Sequence, residues 1–87
     1  MEHRCYDGRT YEVLRVSLVQ RDAMALELWD TTEGGRCLVL QVFYSDAYGK
    51  MTISLFKSEL PLELVEWFVR RARELLPPEN DPHAPTM

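Results

Sequence analysis

A period of two runs through four successive stretches of this chain, residues 9–20, 23–32, 36–45 and 51–57. Alternating side chains lie on opposite faces of a strand, so each stretch is predicted to be a strand. Turn signals punctuate them: Asp7-Gly8, Gln20-Arg21-Asp22, Glu33-Gly34-Gly35 and the segment 46–50 with Gly49. Asp-Gly favours a hairpin because both residues tolerate positive φ. Residues 2–6, ahead of that pair, therefore read as a first short strand. Connections this short allow only antiparallel returns, since a parallel crossover needs a dozen residues or more. The prediction is an antiparallel meander of about five strands. Residues 23–32 also hold the helix formers Ala, Met, Leu and Glu. Strand is preferred there because the run is short and lies between two strand-like runs.

The pattern changes after residue 57. Leu62, Val65, Phe68, Val69, Ala72, Leu75 and Leu76 recur at three-to-four spacing, the apolar stripe of an amphipathic helix. Pro61 suits the first helical position, where a missing N–H costs nothing. Glu59 and Glu63 near the start, and Arg70, Arg71 and Arg73 near the end, complement the helix dipole. Pro77-Pro78 ends the helix, and residues 77–87, with four of the five prolines, read as a disordered tail. The expectation is one α+β domain over residues 1–76, with the C-terminal helix packed on one face of the sheet.

The two faces of that sheet are then assigned by phase. The helix is expected to cover the aliphatic row of Leu14, Val16, Leu18, Met24, Leu26, Leu28, Leu38, Leu40, Val42, Met51, Ile53 and Leu55. The opposite face would carry Val13, Val19, Ala25, Trp29, Val39, Phe43 and Phe56 among Arg15, Ser17, Glu27, Gln41 and Thr52. A solvated antiparallel face is normally mostly polar. An apolar streak of this kind predicts an interface, with Trp29, Val39, Phe43 and Phe56 as its residues and a homodimer packed face to face as its simplest use. Trp67 and Arg71 on the helix form a second candidate patch, because Trp and Arg are favoured anchors at interfaces.

Chemistry is harder to find. The histidines are His3, near the first residue, and His83, in the proline-rich segment, and neither is placed for acid–base work on a rigid element. Cys5 and Cys37 have no metal-ligand spacing and read as reduced, partly buried thiols of a cytoplasmic protein. Asp22, Asp30, Glu33 and Asp46 read as solvated turn carboxylates without calcium-loop spacing. Gly34 and Gly35 lack the later Gly-Lys-Ser/Thr of a phosphate loop. No cofactor, metal or catalytic residue is predicted. The 87 residues carry 10 Lys and Arg against 14 Asp and Glu, a net charge of −4, which disfavours nucleic acid as the main partner. No apolar run approaches a membrane span or a secretion signal, so the chain is read as cytoplasmic.

The order of elements, antiparallel strands followed by one helix over residues 9–76, is similar in topology to Pur-alpha-type repeats and to the positive-cofactor family of single-stranded DNA binders. That resemblance implies a nucleic-acid-binding sheet as the alternative function, although Arg15 is the chief cation on the face in question. By size, acidity and lack of catalytic groups the chain also resembles toxin-neutralising immunity proteins and phage inhibitors, which work by surface occlusion. The leading expectation is a non-enzymatic protein-binding module of that inhibitor or immunity kind.

Overall fold

The computed structural model describes residues 2–18, 23–45 and 48–76 of the chain. Five strands, β1 (Glu2–Tyr6), β2 (Arg9–Leu18), β3 (Ala23–Asp30), β4 (Cys37–Ser45) and β5 (Lys50–Leu55), precede one helix, α1 (Leu62–Leu75). They form one sheet in the order β1-β2-β3-β4-β5 with every neighbouring pair antiparallel. The fold is α+β, an antiparallel meander with one C-terminal helix. Residues 23–30 are strand despite their helix-forming composition, because a central strand with partners on both sides outweighs intrinsic propensity. Val19, the turn at 20–22, the segment 77–87 and His83 lie outside the described residues.

Local chemistry explains the connections. Asp7 and Gly8 have φ of 52° and 79°, and Tyr6 pairs with Arg9, which makes a two-residue hairpin with both central residues left-handed. Gly49 sits at φ 65° and donates its N–H to the Ser45 carbonyl at 2.7 Å, closing the return from β4 to β5. Pro61 flanks α1 rather than beginning it. Its φ of −58° with ψ of 132° is extended, and its carbonyl accepts the N–H of Val65 at 3.2 Å.

The core lies between α1 and the sheet. Leu64, Phe68, Ala72 and Leu76 pack from the helix side on Tyr11, Val13, Leu26, Leu28, Leu40 and Val42. This corrects the predicted faces at β2. Val13 is opposite Leu28 and Tyr11 is opposite Asp30, so Tyr11 and Val13 share the helix side with the core row of β3. Leu14, Val16 and Leu18 lie on the other face, and Arg15 and Ser17 take the helix side where they are exposed. Both phases of β2 are apolar, so alternation alone could not choose between them, and a one-residue slip inverts every side chain. A second correction concerns Val39. The ladder shifts between Leu28 and Trp29, with Leu28 opposite Leu40 but Trp29 opposite Leu38. Val39 is the extra residue of this bulge, and it is 1% exposed within the core cluster.

Candidate docking surface

α1 presents three stripes to its surroundings, and they differ in chemistry. The central stripe is the core just described. One flank faces β1. There Tyr6 donates its hydroxyl to Glu63, the Arg4 guanidinium lies 4.6 Å over the Trp67 ring, and Arg71 donates to Glu2 at 2.9 Å and also to Glu74. The hydrogen bond to Glu63 pushes the Tyr6 hydroxyl above its ordinary pKa. Strand residues 6, 4 and 2 thus meet helix residues 63, 67 and 71. The match is geometric: two strand residues advance about 6.8 Å and four helical residues about 6.0 Å. Trp67 and Arg71, predicted as one exposed patch, are both engaged in this clasp. The cation stacked on Trp67 is Arg4.

The other flank faces β5 and, among the described residues, has no such clasp. Met51, Ile53 and Leu55 are on the helix side of the sheet, opposite Tyr44, Val42 and Leu40. Yet Ile53 is 42% exposed, Leu55 61%, Phe56 56% and Leu62 70%. α1 lies over the central strand β3 and borders β5 through Val69, Ala72 and Arg73, without covering Ile53 and Leu55. What remains is an apolar seam in two parts. A hollow of about 170 Å³ lies among Met51, Ile53, Val69, Ala72 and Arg73. A wider one of about 460 Å³ lies among Leu55, Phe56, Lys57, Leu60 and Val65. Phe56, predicted for the open sheet face, belongs to this seam. Covering a half-exposed Leu or Phe is worth on the order of 1–1.5 kcal/mol.

β5 is also an edge strand, so half of its backbone groups have no partner strand. Which half is set by one bond. The Phe56 N–H donates to the Val39 carbonyl at 3.0 Å, which fixes residues 50, 52, 54 and 56 as those bonded toward β4. The N–H and C=O groups of Met51, Ile53 and Leu55 therefore point out of the sheet. The same three residues carry the apolar side chains of the seam. An exposed edge of this kind is a template for another strand, and Lys50 and Lys57 bracket it. The chain matches no known protein family, no curated protein and no solved structure. The surface must therefore be read from its own chemistry.

On the sheet face opposite α1, several polar and charged side chains pair with one another. The Trp29 indole N–H donates to Glu27 Oε1 at 3.0 Å, and Gln41 donates to Glu27 Oε2 at 3.2 Å. Arg36 lies 4.6 Å over the Trp29 ring and pairs with Glu12 at 3.1 Å. Trp29 and Phe43 stay half-buried on this face, while the small residues Ala23 and Ala25 between their larger neighbours are buried. Of the predicted interface set, then, Trp29 and Phe43 share a face, Phe56 is in the seam, Val39 is core, and Trp67 and Arg71 hold β1. Arg36 spends its charge on Glu12 and Trp29, which leaves this face poorly suited to a phosphate backbone.

The other end of the sheet holds a polar hub. Asp30, 6% exposed, accepts from Arg9 Nε at 2.7 Å, from the Thr32 N–H at 2.9 Å and from the Thr32 hydroxyl at 2.6 Å. Thr10 and Thr31 add backbone bonds that tie the β3–β4 loop to β2. Burial opposes the charged carboxylate, but Thr32 and Arg9 outweigh it and hold Asp30 below its ordinary pKa. Asp30 is thus a buried structural anion and not the solvated turn carboxylate its position suggested. Asp22 and Asp46 lie outside the described residues, and Glu33 is exposed. No group of three His, Cys, Asp or Glu side chains is placed for a metal among the described residues. Cys5 and Cys37 are free and exposed rather than partly buried. They lie three strands apart, about 14 Å, too far for a disulfide.

Proposed function

We propose that this chain is a non-enzymatic protein-binding module that docks a second polypeptide along the seam between α1 and β5. The observation that carries the reading is the coincidence of an open strand edge with apolar side chains on the same three residues, the exposed Ile53 and Leu55 and the half-buried Met51. An added strand would satisfy the outward backbone groups and place alternate side chains in the hollows beside α1. An inhibitor or toxin-immunity protein is a module of this type, because it acts by covering a surface rather than by chemistry. Two exposed free thiols suit a reducing compartment, so the cytoplasm is part of the reading. No helix among the described residues is long and apolar enough to cross a membrane.

The test uses a labelled synthetic peptide of alternating valine and threonine, bracketed by glutamates that meet Lys50 and Lys57. Fluorescence anisotropy at low protein concentration should show saturable binding. Leu55→Asp, at an exposed position, should weaken it at least about tenfold by charge repulsion and lost apolar contact. Absence of saturable binding, or binding that Leu55→Asp leaves unchanged, would refute the reading.

A further inference from the structure

We infer that the occupant of the seam is a second copy of this chain, joined β5 to β5 in antiparallel sense about a two-fold axis at Ile53. The inference rests on the seam being the docking surface and adds the identity of the partner.

Three observations carry it. The first is hydrogen-bond parity. Ile53 turns its N–H and C=O outward, so two copies of Ile53 placed opposite each other exchange both bonds. The same register sets Met51 of each copy opposite Leu55 of the other, and both of these also point outward. Every outward group on those three residues is used. The second is side-chain complementarity. On the helix side the pairs are Met51 with Leu55 and Ile53 with Ile53, which joins the two apolar seams into one. On the other side Thr52 meets Ser54, two hydroxyl side chains that can hydrogen-bond across the pair. No like charges stand opposite one another in this register. The third is charge content. Residues 51–56 are uncharged, and the only two lysines of the chain stand at the two ends. Pairing is therefore limited to a short neutral strand and closes as a dimer rather than extending.

The result is a ten-stranded sheet with both helices on one side. Each copy contributes one short strand and one groove wall, less than the roughly 800 Å² per partner of a standard interface. The dissociation constant is accordingly expected on the order of 10 μM. The net charge of −4 on each copy opposes the approach, so added salt strengthens the dimer.

The experiment is sedimentation equilibrium of the full chain from about 5 to about 500 μM, spanning that constant. The wild type should rise from monomer mass toward twice that mass. Ile53→Lys and Ile53→Glu each place like charges on the two-fold axis and should remain monomeric where the wild type is dimeric. An equal mixture of the two variants should recover the dimer, because only a two-fold contact sets position 53 against itself. A wild type that stays monomeric overturns the inference, as do variants that dimerise normally or a mixture that fails to recover. Circular dichroism checks that both variants fold. If either does not, hydrogen exchange on the wild type decides: concentration should slow the amides of Met51, Ile53 and Leu55 and leave Phe56 unchanged. Slowing elsewhere in the sheet instead would overturn the inference. Should the wild type be monomeric while the valine–threonine peptide still binds, the seam stands as a docking surface and only the second copy is excluded as its occupant.

Discussion

Asp30 shows how much one residue decides. It is a carboxylate at the end of β3, and its three partners come from β2's first residue and from the following loop. Removing it leaves the Thr32 N–H and hydroxyl without their acceptor. Asp30→Ala is expected to cost about 1–3 kcal/mol, read from urea unfolding at neutral pH. The pH dependence follows from the lowered pKa. Unfolding returns the carboxyl to about 3.9, so the folded state binds the proton less readily. Its stabilisation is complete above that unfolded value and is lost as pH falls through the lower folded value. The stability gap between wild type and Asp30→Asn should therefore be constant from pH 7 to about pH 5 and shrink in acid. A gap that widens on acidification would contradict the assignment. Gly8 gives a second residue-scale test. Its φ of 79° is left-handed, and a Cβ there would meet nothing within 4 Å. Gly8→Ala should cost about 1–2 kcal/mol from backbone strain alone. The Asp-Gly turn was legible in the sequence because its signature is local. Asp30 was not, because its identity as a buried anion depends on Arg9, 21 residues away.

Among the elements, the pairing of β1 with α1 has the clearest consequences. β1 is an edge strand, and its bonds reach β2 and three side chains of the helix. The Glu2–Arg71 pair is partly exposed, 37% and 29%, so its coupling energy should be modest. A double-mutant cycle with Glu2→Ala and Arg71→Ala should give about 0.2–1 kcal/mol. Its larger effect should be local, as faster hydrogen exchange in β1 with the core of the sheet unchanged. The central stripe of α1 behaves differently. Phe68 is 0% exposed against β2, β3 and β4, and Phe68→Ala should cost about 3–5 kcal/mol, enough to threaten folding in a domain of this size. Period two was readable for β2 to β5 and period 3.6 for α1, while β1 was read from the turn that follows it. The chain alone could not show which flank of α1 meets β1, because a stripe of apolar residues carries no direction around the sheet.

For the molecule as a whole, the lateral position of the helix matters most. One helix of 14 residues cannot cover five strands; side chains of β1 reach it, while Ile53 and Leu55 of β5 stay open. The exposed apolar residues therefore gather at β5 rather than over the face opposite the helix. This separates stability from association. Leu55→Thr removes an exposed side chain from an edge strand and should change stability by less than about 0.5 kcal/mol. The same substitution should weaken any association through the seam at least about fivefold, read by light scattering. A large loss of stability without a change in association would mean that Leu55 serves the monomer's own core.

The strand count, the antiparallel order, the terminal helix and the Asp7-Gly8 hairpin were legible in the amino-acid order, because each depends on spacing or on the φ preference of adjacent residues. Which phase of β2 faces the helix, the departure of Val39 from its face at a bulge, and the place of Trp67 and Arg71 in a clasp emerged from the folded arrangement. These depend on register between strands and on contacts between residues as far apart as Glu2 and Arg71. Alternation states that a strand has two faces. It does not state which face the rest of the molecule will bury.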